Sequence, residues 1–484
     1  MDDLIKVGLD FGTHQTKICV QRTPDEGHGE TIYEFFQFED LEGNSHYFLP
    51  SVIQINNDDT LSYGFVNPEK EKHEMAYSQK REVVFHDFNP EDEAKLVFPK
   101  YQCERDTLTD LPSLVKMFHL KRNKEQKRYQ DEVRKADDEY KTAVETYKNS
   151  RCLYRYFKQA TFAERPWEKN IDSITLSVWY LSYIIFKLEE KYGTNFKINM
   201  GIPADDEMYE RKRMLAISVL ATAYQLVEDI YKNDIEEFLK EKIDDLKSKT
   251  KLVPYNPSLK DEYQFNIFPE AYASLVTLTS KGKLTNGMSL TVDIGGGTTD
   301  ISFFTVGDNV TVPLIYKYWS IQKGLNYIAE ASGFDYSDED FNDNSSKEII
   351  EEYNYKKQEI VGGLIKKLLQ KITTETNIPK ENLIKSLKER IVVYAGGGSS
   401  YRRLTNPISY FTDVHKIGAD MWKEERIVDK DKVQNLCFLL TTAYGLSLAK
   451  DESDVKLCPL ECIFDGFAVK TEVNRGYFID KDAV

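Results

Sequence analysis

Cysteine is scarce in this chain: six residues in 484 (Cys19, Cys103, Cys152, Cys437, Cys458 and Cys462), with no CxxC pair. That excludes a zinc ribbon and a dense disulfide framework and points to a reducing compartment, the cytoplasm. Positive charge is in the minority, 64 Lys and Arg against 80 Asp and Glu for a net −16, which argues against generic binding to nucleic-acid phosphates. No run approaches the roughly 18 apolar residues of a membrane span, and the acidic start Met1-Asp2-Asp3 lacks the positive charge and apolar core of a secretory signal. The longest apolar run, Ile174 to Phe186, is interrupted by Ser177 and Ser182 and ends in Lys187, Glu189 and Glu190, the pattern of a buried helix. Composition is otherwise ordinary, with 41% hydrophobic residues, and the length predicts about three folded units.

Against that background three segments share one grammar, a β-rich apolar run that breaks into a glycine turn. They are Ile5 to Asp10 followed by FGTHQTKICV, Leu290 to Asp293 followed by IGGGTTDISFF, and Ile391 to Ala395 followed by GGGSSYRR. The first two resume as β-branched and aromatic runs, which predicts hairpins closed by the glycine turns. The third continues polar and is expected to enter a helix. Two such hairpins, each preceded by a carboxylate, imply a duplicated α/β architecture with two lobes.

Asp10 and Asp293 stand 283 residues apart, against 103 from Asp293 to Gly396, so the insertions fall in the first lobe. One runs from Lys121 to Asn170, with 14 basic and 9 acidic residues; Tyr129, Val133, Ala136, Tyr140, Ala143 and Tyr147 recur at spacings of four and three, a helical seam. Its positive surplus fits either a partner-binding face or a solvated helix pair. A second excursion, 233–261, predicts one amphipathic helix over IEEFLKEKIDDLKSK, ended by VPYNPS. Residues 335–346, rich in Asp, Ser and Asn, read as a mobile connection, and charged helices are expected at 347–371 and 380–390.

A glycine turn aims successive backbone N–H groups at one place and so cradles phosphate oxygens. Asp10, Gly12 and Thr13, and Asp293, Gly295, Gly296, Gly297 and Thr298, supply two such cradles. The aspartate at the base of each suits Mg²⁺ held through its water shell. Lys17 is placed to reach a β- or γ-phosphate as a point charge.

At these residues the sequence resembles the actin-like ATPase superfamily: LDFGTHQTK is similar to its first phosphate loop, VDIGGGTTDIS to its second and VVYAGGGSSYRR to its adenosine loop. The resemblance is strongest to the nucleotide-binding domain of DnaK-type 70-kDa heat-shock chaperones, through VDIGGGTTDISFF, through FLPSVIQIN followed by TLSYG, and through GIPADDEMYERKR with its Pro203 and Arg211. It covers about residues 4–460 and implies a two-lobed actin-like fold of duplicated ribonuclease H-like domains with helical insertions. The implied first lobe is 1–289, with core 1–40 and 170–289 and an inserted subdomain at about 41–169 carrying the helical excursion 121–169. The second lobe is 290–460, with core 290–330 and 385–460 and a smaller subdomain at about 331–384; a tail follows at 461–484.

The resemblance also implies ATP or ADP with Mg²⁺, contacted by Gly12, Thr13, His14, Lys17, Gly295, Gly296, Gly297, Thr298, Thr299, Gly324, Gly396, Gly397, Gly398 and Ser399, with Asp10, Asp293 and Asp300 at the metal. Catalysis falls to Glu270, Lys116 in LVKMFHL, Thr298 and Lys17. Glu270 in IFPEAYASL is a water-positioning carboxylate on this reading, or else a helix N-terminal acid favoured by the dipole. His14 is a loop side chain rather than a proton shuttle; Gly324 is either a further approach to ATP or a turn. Cys458 and Cys462 carry no chemistry. Residues 347–371 do not match the chaperones' adenine-clamping helix, and no match to their peptide-binding domain is expected after CPLECIFDG. The expected function is therefore a nucleotide-driven two-lobe switch that acts on a protein partner or client, with no role for nucleic acid or membrane. The alternative is a polymerising ATPase of the plasmid-segregation type, favoured by Lys17 and the Pro269-Glu270 order; a sugar or small-acid kinase lacks a convincing acceptor-activating Asp.

Overall fold

The fold was analysed in a computed structural model, which describes residues 4–457 except 25–29, 73–78, 104–109, 151, 164–170, 204–207, 254–257, 281–286, 307–312, 322, 333–346, 377–378, 389, 417–421 and 424. The connection at 335–346, the VPYNPS loop in large part, and Cys458 and Cys462 lie outside the described residues. The chain is of α/β class and divides into two compact units, residues 1–68 with 153–484, and residues 69–152.

The larger unit begins with β1 (Leu4–Phe11), β2 (Gln15–Thr23), β3 (Ile32–Phe35), β4 (Phe38–Glu39), β5 (Ser45–His46), β6 (Leu49–Pro50), β7 (Val52–Ile55) and β8 (Leu61–Tyr63). After the smaller unit, which holds α1 (Pro90–Cys103) and α2 (Leu111–Ser150), it resumes with β9 (Leu153–Arg155), α3 (Phe157–Thr161), α4 (Ser173–Tyr192), β10 (Phe196–Ile202) and α5 (Tyr209–Gln225). Next come α6 (Ile235–Lys240), α7 (Ile243–Leu252), α8 (Leu259–Glu262), β11 (Phe265–Pro269) and α9 (Glu270–Ser280). The remainder is β12 (Gly287–Ile294), β13 (Thr299–Val306), β14 (Leu314–Ile321), α10 (Leu325–Ser332), α11 (Lys347–Thr376), α12 (Lys380–Lys388), β15 (Ile391–Ala395), β16 (Asp413–Lys416), α13 (Lys430–Val433), α14 (Cys437–Leu448) and β17 (Lys456–Leu457).

Two sheets organise this unit, and their cores have one topology. The first runs β11-β10-β1-β2-β3 and the second β16-β15-β12-β13-β14, with β6 added to β2 and β17 to β14. In each, two parallel strands lead to a hairpin whose second strand pairs antiparallel with a third. The hairpins match in register as well: Asp10 lies opposite Lys17 and Phe11 opposite Thr16, while Asp293 lies opposite Asp300 and Ile294 opposite Thr299. Both glycine turns therefore close hairpins as the sequence predicts, and the third GGG enters a short 3₁₀ helix at Gly397–Ser400.

Alternation along the strands sorts the second sheet's side chains onto two buried faces. Leu290, Val292, Ile301, Phe303 and Tyr394 pack with Tyr353, Val361 and Ile365 of α11. Phe304, Val393 and Ala395 pack on the other face with α9 and α14. Helix α14 also lies against β1 and β2, so it touches both sheets. Its tail is tied to the first sheet by Asn199, whose Nδ2 donates to Leu446 O at 2.8 Å and Ala449 O at 2.9 Å, and by Lys6 Nζ, which donates to Ala449 O at 3.3 Å. The run at 174–186 is the buried α4, capped by Asp172, which accepts from the Thr175 N–H.

The excursion at 233–261 breaks where one helix is expected. Glu241 and Lys242 are extended, Glu241 takes a hydrogen bond from Tyr231 Oη at 3.1 Å and pairs with Lys249, and the Ile243 N–H is held by Asp59 O at 2.9 Å, so α6 and α7 are separate.

In the smaller unit the helical seam is real but longer toward its start than 121, because α2 begins at Leu111. Ala94 of α1 packs with Leu114 and Phe118 of α2. Further along, α2 is covered among the described residues by irregular chain instead of a second helix: Phe85 packs on Tyr129 in a tilted arrangement with ring centroids 5.1 Å apart, and Lys80 pairs with Asp137. Residues 153–161, expected within the excursion, belong to the larger unit as β9 and α3.

Candidate functional site

Because the two hairpins share a register, their turns present the same groups at one place. The turns line a cavity of about 1010 Å³ together with α3, α9 and the 3₁₀ turn after β15. Of the residues named from sequence, Asp10, Gly12, Thr13, His14, Lys17, Glu270, Asp293, Gly295, Gly296, Gly297, Thr298, Asp300, Gly396 and Gly397 all line it.

The others do not. Thr299 is fully buried beneath the turn, its hydroxyl donating to Lys323 O at 2.9 Å and bonded to Tyr353 Oη at 2.5 Å. Gly398 and Ser399 are buried behind the cavity wall, Ser399 Oγ donating to Gly396 O at 2.7 Å. Gly324 backs the second turn, since a Cβ there would stand 2.5 Å from both Gly295 O and Gly296 O. Gly396 has φ +77°, and a Cβ would fall 2.2 Å from Asp293 Oδ1, so only glycine fits beside that carboxylate. Lys116 lies on α2 of the smaller unit and is not among the lining residues. Pro203 lines the cavity; Arg211 is exposed on α5.

The cation at Glu270 is Lys158, which the sequence reading passed over. Glu270 opens α9 directly after β11, and Lys158 sits on α3, buried, with its Nζ paired to Glu270 Oε1 and 5.8 Å from the Phe11 ring centroid. The contact spans 112 residues and has no motif. Its one local signal is a lysine inside a new apolar run, Cys152 to Phe162, that begins after the helical seam stops at Tyr147.

Electrostatically the cavity is a cluster of carboxylates edged by cations. Lys17 Nζ bonds Asp10 Oδ2 at 3.0 Å across the first hairpin. Across the second, Asp293 faces another acid; burial first, then Asp300, Glu270 and Asp10, push its carboxyl up to about 8, with Lys17 opposing. Burial likewise raises Glu270, Lys158 pulls it down, and Asp10 and Asp300 push it up. Thr298 Oγ1 donates to Asp300 Oδ2 at 3.3 Å. His14 is held below its ordinary value by burial, then by Arg155 and Lys17.

Among the described residues no three His, Cys, Asp or Glu side chains converge tightly enough to ligate a metal directly. An all-oxygen set in which Asp10 is already tied to a lysine fits Mg²⁺ carried by its own waters and a ligand's phosphates. Among the described residues no helix is long and apolar enough to cross a membrane. No protein-family model matches the chain, and no curated protein matches it.

Proposed function

We propose that this cavity binds ATP with Mg²⁺ and hydrolyses it, and that the chain is a two-lobed ATPase of the actin-like kind, closest to the DnaK-type nucleotide-binding module. The observation that carries the reading is the pair of topologically equivalent sheets whose hairpin turns, each with an aspartate at the same register, line one cavity.

On this reading the N–H groups of Gly12–His14 and Gly295–Thr298 receive phosphate oxygens, and Lys17 supplies charge toward the terminal phosphate. Asp10, Asp293 and Asp300 hold the water shell of Mg²⁺, which when bound neutralises phosphate charge. Glu270 orients the attacking water, and Lys158 holds that carboxyl in place and opposes the rise that burial imposes on it. Phosphoryl transfer asks little of a protein beyond such positioning and charge stabilisation. With Asp293 raised to about 8, a cation that binds beside it is expected to displace its proton, so MgATP is the form the site is expected to take. On this reading the switch acts on a cytoplasmic partner or client protein, and α14, in contact with both sheets, couples them as the cleft opens and closes.

Turnover of ATP by the purified chain with and without Mg²⁺ tests the reading, with sedimentation under ATP and ADP alongside. Magnesium-dependent hydrolysis by discrete particles is expected. Absence of both binding and turnover removes the nucleotide assignment, and filaments that form in ATP and vanish in ADP select the polymerising ATPase instead.

A further inference from the structure

The two glycine turns are in direct contact. A Cβ on Gly296 would be 2.9 Å from His14 Cβ, and one on Gly297 would be 3.0 Å from Thr13 Cγ2. Over this contact Asn326 Nδ2 bonds His14 Nδ1 at 3.0 Å. Asn326 is fixed to the second turn from behind, since its own N–H donates to Gly296 O at 2.9 Å and that of Leu325 to Gly295 O at 2.9 Å. It also reaches toward β9, with Nδ2 3.4 Å from Tyr156 Oη.

We infer that the His14–Asn326 hydrogen bond is a latch between the two turns, one that a polyphosphate must open to enter, so that Asn326 sets how readily the site accepts nucleotide. The inference rests on the nucleotide reading above. A phosphate bridging N–H groups of both turns needs about 2.9 Å of hydrogen-bond length on each side of it, and turns whose side chains and backbone already touch leave no such gap. The latch is weak by construction. Asn326 is 7% exposed, yet its Oδ1 is buried without a hydrogen-bond partner, so the closed arrangement leaves one buried acceptor unsatisfied. Opening at this point moves α10 with the second turn, because the first N–H groups of α10 are bonded to that turn's carbonyls.

The test is stopped-flow binding of a fluorescent ATP analogue to the full chain with Mg²⁺, combined with hydrogen exchange of the free protein. A net hydrogen bond of ordinary strength corresponds to about a 3- to 10-fold change in equilibrium. Asn326→Ala is therefore expected to raise the association rate by about that factor, to leave the dissociation rate as it was, and to speed amide exchange in both turns without ligand. His14→Ala, which removes the other side chain of the same bond, is expected to speed the same amide exchange without ligand. Slower association or faster dissociation in Asn326→Ala overturns the latch, since Asn326 would then be a ligand contact; so does unchanged exchange. If wild type and variants alike bind no nucleotide while exchange still rises, it is the nucleotide reading that falls and the latch that stands.

Discussion

The two hairpins are built alike and charged differently. Cross-strand from its aspartate the first carries Lys17, and Asp10 is neutralised at 3.0 Å; cross-strand from the equivalent Asp293 the second carries Asp300, so burial and a facing acid push Asp293 up to about 8. The helices differ too: α4 buries apolar and hydroxylic side chains, including Leu176, Trp179, Tyr180 and Ile184, along with the carboxylate oxygens of Glu189, whereas α11 buries Lys357, whose Nζ donates to Leu404 O and lies between the Tyr353 and Tyr394 rings. Burial alone brings Lys357 down to about 7. At the matched aspartates, the first hairpin sets a cation across the strands and the second sets another acid.

Breaking the Lys158–Glu270 ion pair, which reaches into the cavity from the first half, is expected to have the largest effect. Lys158→Met and Glu270→Gln should each retain ATP binding and lose on the order of 10²-fold in single-turnover hydrolysis, the usual range for a positioned acid or base. Wild-type rates in both variants would return Glu270 to a helix-terminal role. A second variant erases the contrast directly. Asp300→Lys copies the Asp–Lys pair of the first hairpin into the second, and calorimetry should show MgATP affinity falling by about 10-fold or more, as expected for reversing a charge beside the ion. Unchanged affinity would mean that Asp293 and Asp300 do not serve the metal.

The smallest effect concerns Lys357. Its folded-state value lies below that of the unfolded chain, so between about pH 7 and pH 10 the unfolded chain binds more protons and stability attributable to this group rises with pH. Lys357→Met should flatten that rise by on the order of 1 kcal/mol, read from urea unfolding of both proteins at pH 7 and pH 9.5. Parallel curves would show that the lysine is not desolvated as the structure has it.

What the sequence discloses follows from how local each feature is. The glycine turns, their flanking aspartates and α4 are written in contiguous residues and are found where expected. Lys158 and Asn326 escape because each acts across more than 100 residues, Lys158 on Glu270 and Asn326 on His14, with no spacing that marks it. Thr299 matches its motif yet faces the core, since strand alternation places it opposite Thr298. The split of α6 from α7 depends on Asp59 and Tyr231, tertiary partners that helix propensity does not register.

The attachment of α14 to the first sheet bears on how the protein is made. Asn199 finds its acceptors on Leu446 and Ala449 only after a further 250 residues have been synthesised. At about 5–20 residues per second on the ribosome that is roughly 10–50 s. For all that time β1 and β10 lack the helix that covers them, and the nascent chain exposes an apolar sheet face. Contacts of such long sequence separation make for slow closure. Helix α14 thus acts as the closing bolt of the first sheet, and a chain halted before Cys437 is expected to be a substrate for the cell's own folding machinery rather than a stable half-protein.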